Sequence, residues 1–234
     1  MRRAFDIVIA AAMLTTPLVA EAADIVPYKA PAPATKFLPP TYDWTGFYIG
    51  VQGGYGWGDS SGTQNAGGTF FPVVPYTISP HGFVGGGRGG FNFQTRSLVV
   101  GVEADLEAAN LSGLSALSAF GQTYFFNVTA DTLASVRGRA GFAHDRWLVY
   151  GTGGVAWGHV TTPPLDTLNG WRTGWTVGAG IEHALFKDWT ASLEYRFTDL
   201  GRASHFDPTL NSTDDNTLSF HAVRAGVSHK LGIN

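Results

Sequence analysis

The sequence predicts an all-β chain folded as an eight-stranded antiparallel up-and-down transmembrane β-barrel, with short periplasmic turns and long surface loops. Three observations carry this. Residues alternate between apolar and polar over eight successive segments, the period of a strand. Every Lys, Arg, Asp and Glu inside those segments falls on the same face. The opposite, apolar face carries large aromatics near both ends of its strands, the mark of a wall that meets two membrane interfaces.

Composition removes the competing classes. The chain has 234 residues, 31 of them Gly, with no Cys and only 14% charged residues, against about a quarter in ordinary soluble domains. Absence of Cys excludes disulfide and zinc-thiolate scaffolds. Abundant apolar and aromatic residues exclude a disordered chain. A net charge of −3 without a basic cluster excludes a nucleic-acid partner. Beyond the N-terminus no apolar run is long enough for a membrane helix.

Taken in order, residues 1–22 read as a signal peptide. Arg2-Arg3 precede an apolar stretch from Ile7 to Ala20, and Ala20-Glu21-Ala22 fits the small-x-small cleavage rule. The mature chain is then expected to begin at Ala23-Asp24. Residues 23–42, with Pro27, Pro31, Pro33, Pro39 and Pro40, read as an extended periplasmic linker. Residues 43–234 form the barrel.

The first strand places Phe47, Ile49, Val51, Tyr55 and Trp57 outward, with Tyr48, Gly50, Gln52 and Gly54 inward. The second turns Phe83 and Phe93 outward and Arg88 inward. The third alternates Val100, Val102, Ala104 and Leu106 with Glu103, Asp105 and Glu107. The fourth sets Val136 and Phe142 against Arg137 and Arg139. The fifth sets Trp147, Val149 and Trp157 against Tyr150 and Thr152. The sixth sets Trp175 and Ile181 against Glu182. The seventh sets Trp189 and Tyr195 against Glu194 and Arg196, and the eighth sets Val223 and Val227 against Arg224 and Lys230. Phe47, Phe93, Trp147 and Trp189 would form one aromatic girdle, and Trp57, Trp157 and Trp175 the other. Short links fall at Thr95-Arg96-Ser97, His144-Asp145-Arg146 and Lys187-Asp188. Long links are expected at roughly 59–81, 109–130, 160–172 and 199–219.

An eight-stranded barrel is just wide enough for side chains to fill. Six inward cations (Arg88, Arg137, Arg139, Arg196, Arg224, Lys230) face five inward anions (Glu103, Asp105, Glu107, Glu182, Glu194). The near balance predicts a plugged lumen with a buried ion network, because unpaired buried charge is costly. A narrow ion pathway is the alternative.

Other motifs carry less. Gly85-x-Gly87-x-x-Gly90 has the spacing of a dinucleotide loop, but alternating residues follow it instead of a helix. Neither a Gly-x-Ser-x-Gly elbow nor a His-Glu-x-x-His pair occurs, and the outward histidines His183 and His229 lack an outward acid or hydroxyl in reach, so no enzyme is expected. Asp199, Asp207, Asp214 and Asp215 read as a solvated loop rather than a metal site. His81, His159 and His205, in or beside the long links, are candidate haemin ligands if they converge.

Several stretches resemble the alphaproteobacterial outer-membrane β-barrel surface-antigen family: Trp44-Thr45-Gly46-Phe47-Tyr48-Ile49-Gly50, Gly101-Val102-Glu103-Ala104-Asp105, Val136-Arg137-Gly138-Arg139-Ala140-Gly141, Trp147 to Ala156, Arg172 to Glu182, and Leu193-Glu194-Tyr195-Arg196. The resemblance implies an abundant, opacity- or porin-like envelope component located in the outer membrane. Its partners would be membrane lipid, lipopolysaccharide and the barrel-assembly machinery. Some relatives bind haemin, and some are joined to peptidoglycan through a mature Ala-Asp terminus, which Ala23-Asp24 matches. One departure is that His229 and Leu231 stand where the family usually ends its last strand on aromatics. The leading expectation is a structural outer-membrane protein; a haemin receptor or small porin is the alternative.

Overall fold

A computed structural model describes residues 42–65, 74–119, 122–161, 170–207 and 212–232. They form nine strands: β1 Gly46–Asn65, β2 Val74–Ile78, β3 His81–Thr95, β4 Leu98–Ala119, β5 Gln122–His144, β6 Trp147–Thr161, β7 Gly170–Ala184, β8 Trp189–Asp207 and β9 Ser212–Leu231. From β3 to β9 each strand pairs antiparallel with the next. β1 pairs with β9 from Phe47↔Leu231 up to Asn65↔Thr213, which closes the sheet into a barrel.

Nine strands make eight staves. β3 lies along β1 from Gly46↔Asn92 to Trp57↔His81, and β2 continues the same line from Ser60↔Ile78 to Gln64↔Val74. The interruption between them is at Ser79-Pro80. Proline has no N–H to donate to a ladder. Its carbonyl still accepts from Gly58 N at 2.9 Å, so the stave is bent rather than broken. The predicted eight-stranded antiparallel barrel is borne out, with no helix among the described residues.

The predicted long links are corrected in extent. β1 runs to Asn65, β4 and β5 reach Ala119 and Gln122, and β8 and β9 reach Asp207 and Ser212. Most of the residues read as surface loops are therefore ladder, standing above the membrane as continuations of the wall. The reason lies inside: Ile78, Leu111, Val128, Val160, Leu200, Leu218 and Phe220 form a buried apolar cluster at this level. The apolar–polar contrast weakens there, because the outward positions, such as Asp59, Ser61, Thr217 and Ser219, are polar rather than apolar. The short links match their expectation. Arg96-Ser97 and Asp145-Arg146 are two-residue turns, with Arg96 at φ 55° and Asp145 at φ 53°. Hairpins of two residues require such positive φ values because their twist then matches that of the strands.

Strand parity sorts the side chains as predicted. On β6, Leu148 is fully buried while its neighbour Val149 is 60% exposed. The barrel is so narrow that inward glycines sit against backbone. A Cβ on Gly54 would lie 2.0 Å from the Val223 carbonyl oxygen, whereas one on the outward Gly87 would find nothing closer than 4.0 Å. Gly54→Ala is therefore expected to prevent closure of β1 on β9, and Gly87→Ala to leave it intact. The mobility of unheated samples in SDS gels, where folded barrels migrate apart from unfolded chain, distinguishes the two.

Candidate functional site: the filled lumen

The inward side chains arrange themselves in three layers. At the periplasmic end Trp44, Val99, Ala143, Leu148, Tyr150 and Ala184 pack together, with Tyr42 against them. At the outer end lies the apolar cluster around Leu111, Leu200 and Phe220. Between them the lumen is ionic.

All eight staves feed that middle layer. Arg137 on β5 is its centre. Its Nη1 donates to Glu194 Oε1 at 2.9 Å and to Thr152 Oγ1 at 3.0 Å. Its Nη2 donates to Asp105 Oδ2 at 2.9 Å and also to Glu103, the residue directly opposite on β4. Arg196 Nε donates to Glu194 Oε1 at 2.8 Å, and its Nη1 lies 3.3 Å from Asp105. Toward the outer end Arg224 grips Glu107 in a two-pronged pair, at 2.9 and 3.0 Å, and Gln52 Nε2 donates to the same carboxylate at 2.8 Å. Planar guanidinium and carboxylate match in this geometry, which fixes orientation as well as charge. Toward the periplasm Arg139 pairs with Glu182, while Arg88 donates to Ser228 and Ser192.

Two tyrosines complete the network. Tyr48 donates to Glu103 Oε2 at 2.6 Å and Tyr150 to Glu194 Oε2 at 3.1 Å. The Arg139 guanidinium lies over the Tyr150 ring, 4.1 Å from its centre, and accepts a second face from Tyr48 at 5.6 Å. Each phenol leans along the inner wall over the glycine paired with it on the neighbouring strand. A Cβ on Gly90 would meet the Tyr48 hydroxyl at 2.7 Å, and one on Gly180 the Tyr150 hydroxyl at the same distance. Arginine stacks on an aromatic face because the ring presents negative charge there.

Of the predicted lumen residues, Arg88, Glu103, Asp105, Glu107, Arg137, Arg139, Glu182, Glu194, Arg196 and Arg224 share this layer. Lys230 does not join it. Near the periplasmic mouth, its Nζ donates to the Asp43 carbonyl at 2.6 Å and lies 5.5 Å from the centre of the Tyr42 ring. The position is the last inward one before the strand ends, so the long side chain turns out toward the chain entering β1. Burial pushes the Tyr42 hydroxyl up to about 12, with Glu182, Asp188 and Asp43 adding to the effect. It therefore stays a neutral ring beside the ammonium at physiological pH. Arg172 is buried and donates to Asn216 Oδ1 at 3.0 Å; it falls at the end of the expected 160–172 link and so stands outside the predicted lumen set. Tyr48 and Tyr150 were on the correct face by parity, and their hydroxyls were the signal that an inward aromatic needs a polar partner.

On the outer wall Phe47, Phe93, Trp147 and Trp189 are exposed at the periplasmic end and Trp57 and Trp175 at the other, with Trp157 half-buried there. Trp171 is a further exposed aromatic that the loop assignment concealed. The wall's described histidines pair with aromatic rings: His183 with Trp147 at 4.2 Å, His229 with Trp189 at 4.8 Å, and His221 with Trp57 at 6.1 Å.

Of the candidate haemin ligands, His81 and His159 are not brought together. His81 begins β3 and points outward, its Nδ1 3.2 Å from the Ser79 carbonyl. His159 lies near the end of β6, with β4 and β5 between the two. It has an acid partner the sequence did not reveal: Nδ1 is 3.0 Å from Asp131, the residue displaced by a bulge between Ala130 and Thr132. A bulge re-aims a side chain, which is why strand parity could not place Asp131. The His205 side chain lies outside the described residues, as do Ala23 and Asp24.

The outer membrane protein beta-barrel domain matches residues 11–230. The chain belongs to this family. It is 34% identical to the 31 kDa outer-membrane immunogenic protein of Brucella melitensis, over 94% of this chain and 96% of that one. It is 29% identical to the 25 kDa outer-membrane immunogenic protein of Brucella abortus, over 96% and 97% of the two chains. A 22 kDa outer membrane protein of Rhizobium leguminosarum is 36% identical over 68% of this chain and 66% of that one. Among solved structures, the outer membrane protein OprG of Pseudomonas aeruginosa has the same fold, with a TM-score of 0.51 and 13% identity over 81% of this chain and 99% of that one. The protein is thus an outer-membrane barrel of the alphaproteobacterial surface-antigen type, as the sequence resemblance implied.

Removing the central cation should be far more damaging than removing the peripheral one. Arg137→Met leaves three carboxylates short of a partner in a buried layer and is expected to cost about 3–5 kcal/mol. Lys230→Met removes one hydrogen bond at the mouth and is expected to cost about 1 kcal/mol or less. Denaturant unfolding in lipid vesicles, followed by tryptophan fluorescence, measures both.

Proposed function

We propose that this protein is a structural component of the outer membrane, a solid stave-and-plug cylinder that stiffens the envelope and presents its upper wall to the exterior. The observation that carries this reading is the three-layer filling of the lumen. Two internal cavities, one beside Trp44 and Asn92 and one beside Arg196 and Arg224, measure about 10 Å³ each. That is room for a single water and not for a solute path. An ion crossing the barrel would have to separate Arg137 from its carboxylates and pass apolar side chains above and below them. Planar-bilayer recordings of the purified protein are expected to lack nanosiemens steps. Steady channels of that size would overturn the structural reading in favour of a porin.

We further propose a tether to peptidoglycan through Ala23-Asp24. Its support is that Ala23-Asp24 fits the Ala-Asp terminus that the family resemblance implies for a tether, together with the Pro-rich run of residues 23–42, whose composition suits an extended spacer. Mass spectrometry of muramidase-digested cell walls is expected to find muropeptides linked to Ala23. Walls that yield barrel protein but no such peptide would remove the tether and leave the structural role standing.

A further inference from the structure

The residues that lead into the barrel wall are held as a strap at its periplasmic mouth. β1 begins at Gly46, which sits at φ 138°, a conformation that favours glycine, so the chain turns there instead of running straight on from the wall. Ahead of that turn the backbone is tied down residue by residue. Trp44 N donates to Gln94 Oε1 at 2.8 Å, and Gln94 N donates to Thr45 Oγ1 at 3.1 Å, which fixes the segment to β3. Lys230 Nζ donates to the Asp43 carbonyl at 2.6 Å, which fixes it to β9. Asp43 Oδ1 accepts from Thr45 N at 2.9 Å and closes a local turn.

The strap also carries a hook. The Trp44 side chain is buried in one cluster with Val99 of β4, Ala143 of β5, Leu148 of β6 and Ala184 of β7, four staves to which β1 is not paired. Tyr42 packs edge-on against the Trp44 ring, with centroids 4.8 Å apart, and its own ring lies beside the Lys230 ammonium. Four consecutive residues thus engage six strands.

We infer that this strap is a load-bearing anchor, which passes tension on the Pro-rich run of residues 23–42 into the ring of staves instead of into β1 alone. The inference rests on the tether proposed above, which supplies the tension. Residue 42 is where that run meets the barrel. A pull that reached Gly46 directly would act on one strand. With the strap in place, the same pull has to draw an indole out of an apolar cluster and break the ties to β3 and β9 together. An aromatic ring of that size is among the largest apolar groups a chain can bury, so it resists withdrawal. A mere seal for the mouth would need the indole, but not the hydrogen bonds that hold the backbone at Asp43 and Trp44 and the Thr45 hydroxyl.

The test pulls the folded protein from that end. The chain has no Cys, so Ala23→Cys in the mature protein gives a unique handle in a supported bilayer, and atomic force spectroscopy reads extension against force. With the strap otherwise intact, the first rupture is expected after about 65 Å, the extended length of residues 23–41, and it releases the strap and β1 in one step. In Gln94→Leu/Lys230→Met, which keeps Trp44, a weaker step is expected first, and β1 leaves after about 14 Å of further extension, the length of residues 42–45. Trp44→Ala is expected to show the same early step, and unheated mobility in SDS gels confirms that each barrel is folded before pulling. The inference is overturned if the intact strap gives up residues 42–45 separately and at lower force than β1, or if the variant traces coincide with it. These outcomes are separate from those of the tether: cell walls without Ala23-linked muropeptides remove the tether and the source of load, whereas a strap that slips removes the anchor and leaves the tether standing.

Discussion

The width of the lumen governs this molecule. Eight staves enclose a space that side chains must fill, and the ten charged groups that share the ionic layer have neighbouring side chains in place of bulk water to solvate them. Each guanidinium must therefore be met by carboxylates, hydroxyls or aromatic faces from other strands. Arg137 can satisfy its N–H donors only because β4, β6 and β8 deliver Glu103, Asp105, Thr152 and Glu194 to one point. That delivery fixes the register of the staves, since slipping one strand by a residue would turn its charge into the lipid.

The other features follow from the same constraint. Glycines line the inner wall because a Cβ there would run into the carbonyl of a neighbouring strand, and at Gly90 and Gly180 also into a tyrosine hydroxyl. Tyr48 and Tyr150 lie over two of those glycines on the adjacent strand and use the vacated space to reach Glu103 and Glu194 one stave further on. The apolar layers above and below keep water from competing for the pairs. In that setting the network specifies one arrangement of strands more than it adds net stability, because desolvation offsets much of what each pair gains.

How much of this could be read from the sequence depended on contrast between the two faces. Within the membrane band the outward residues carry no Lys, Arg, Asp or Glu and most inward ones are polar or small, so strand number, parity and ten of the eleven lumen charges are visible directly. Lys230 has the correct parity, but periodicity does not say how close a position lies to the end of the barrel. Above the band the outward residues become polar while the inward ones become apolar, and the alternation that marks strands reads there as a loop. The upper parts of β4, β5, β8 and β9 are hidden for that reason. The Asp131–His159 contact depends on a bulge, which shifts parity by one residue and leaves no periodic trace.

The continuation of the wall beyond the membrane changes what the cell exterior encounters. A flexible loop would offer short contiguous stretches of chain, each recognisable as a free peptide. A ladder instead sets side chains from different strands beside one another, as where Ser61 of β1 shares a hydrogen bond with Thr217 of β9, 156 positions away. An antibody footprint on this surface would be a mosaic of such neighbours. Its elements would disperse when the barrel is unfolded, and linear fragments of the chain would make poor substitutes for the intact protein as immunogens.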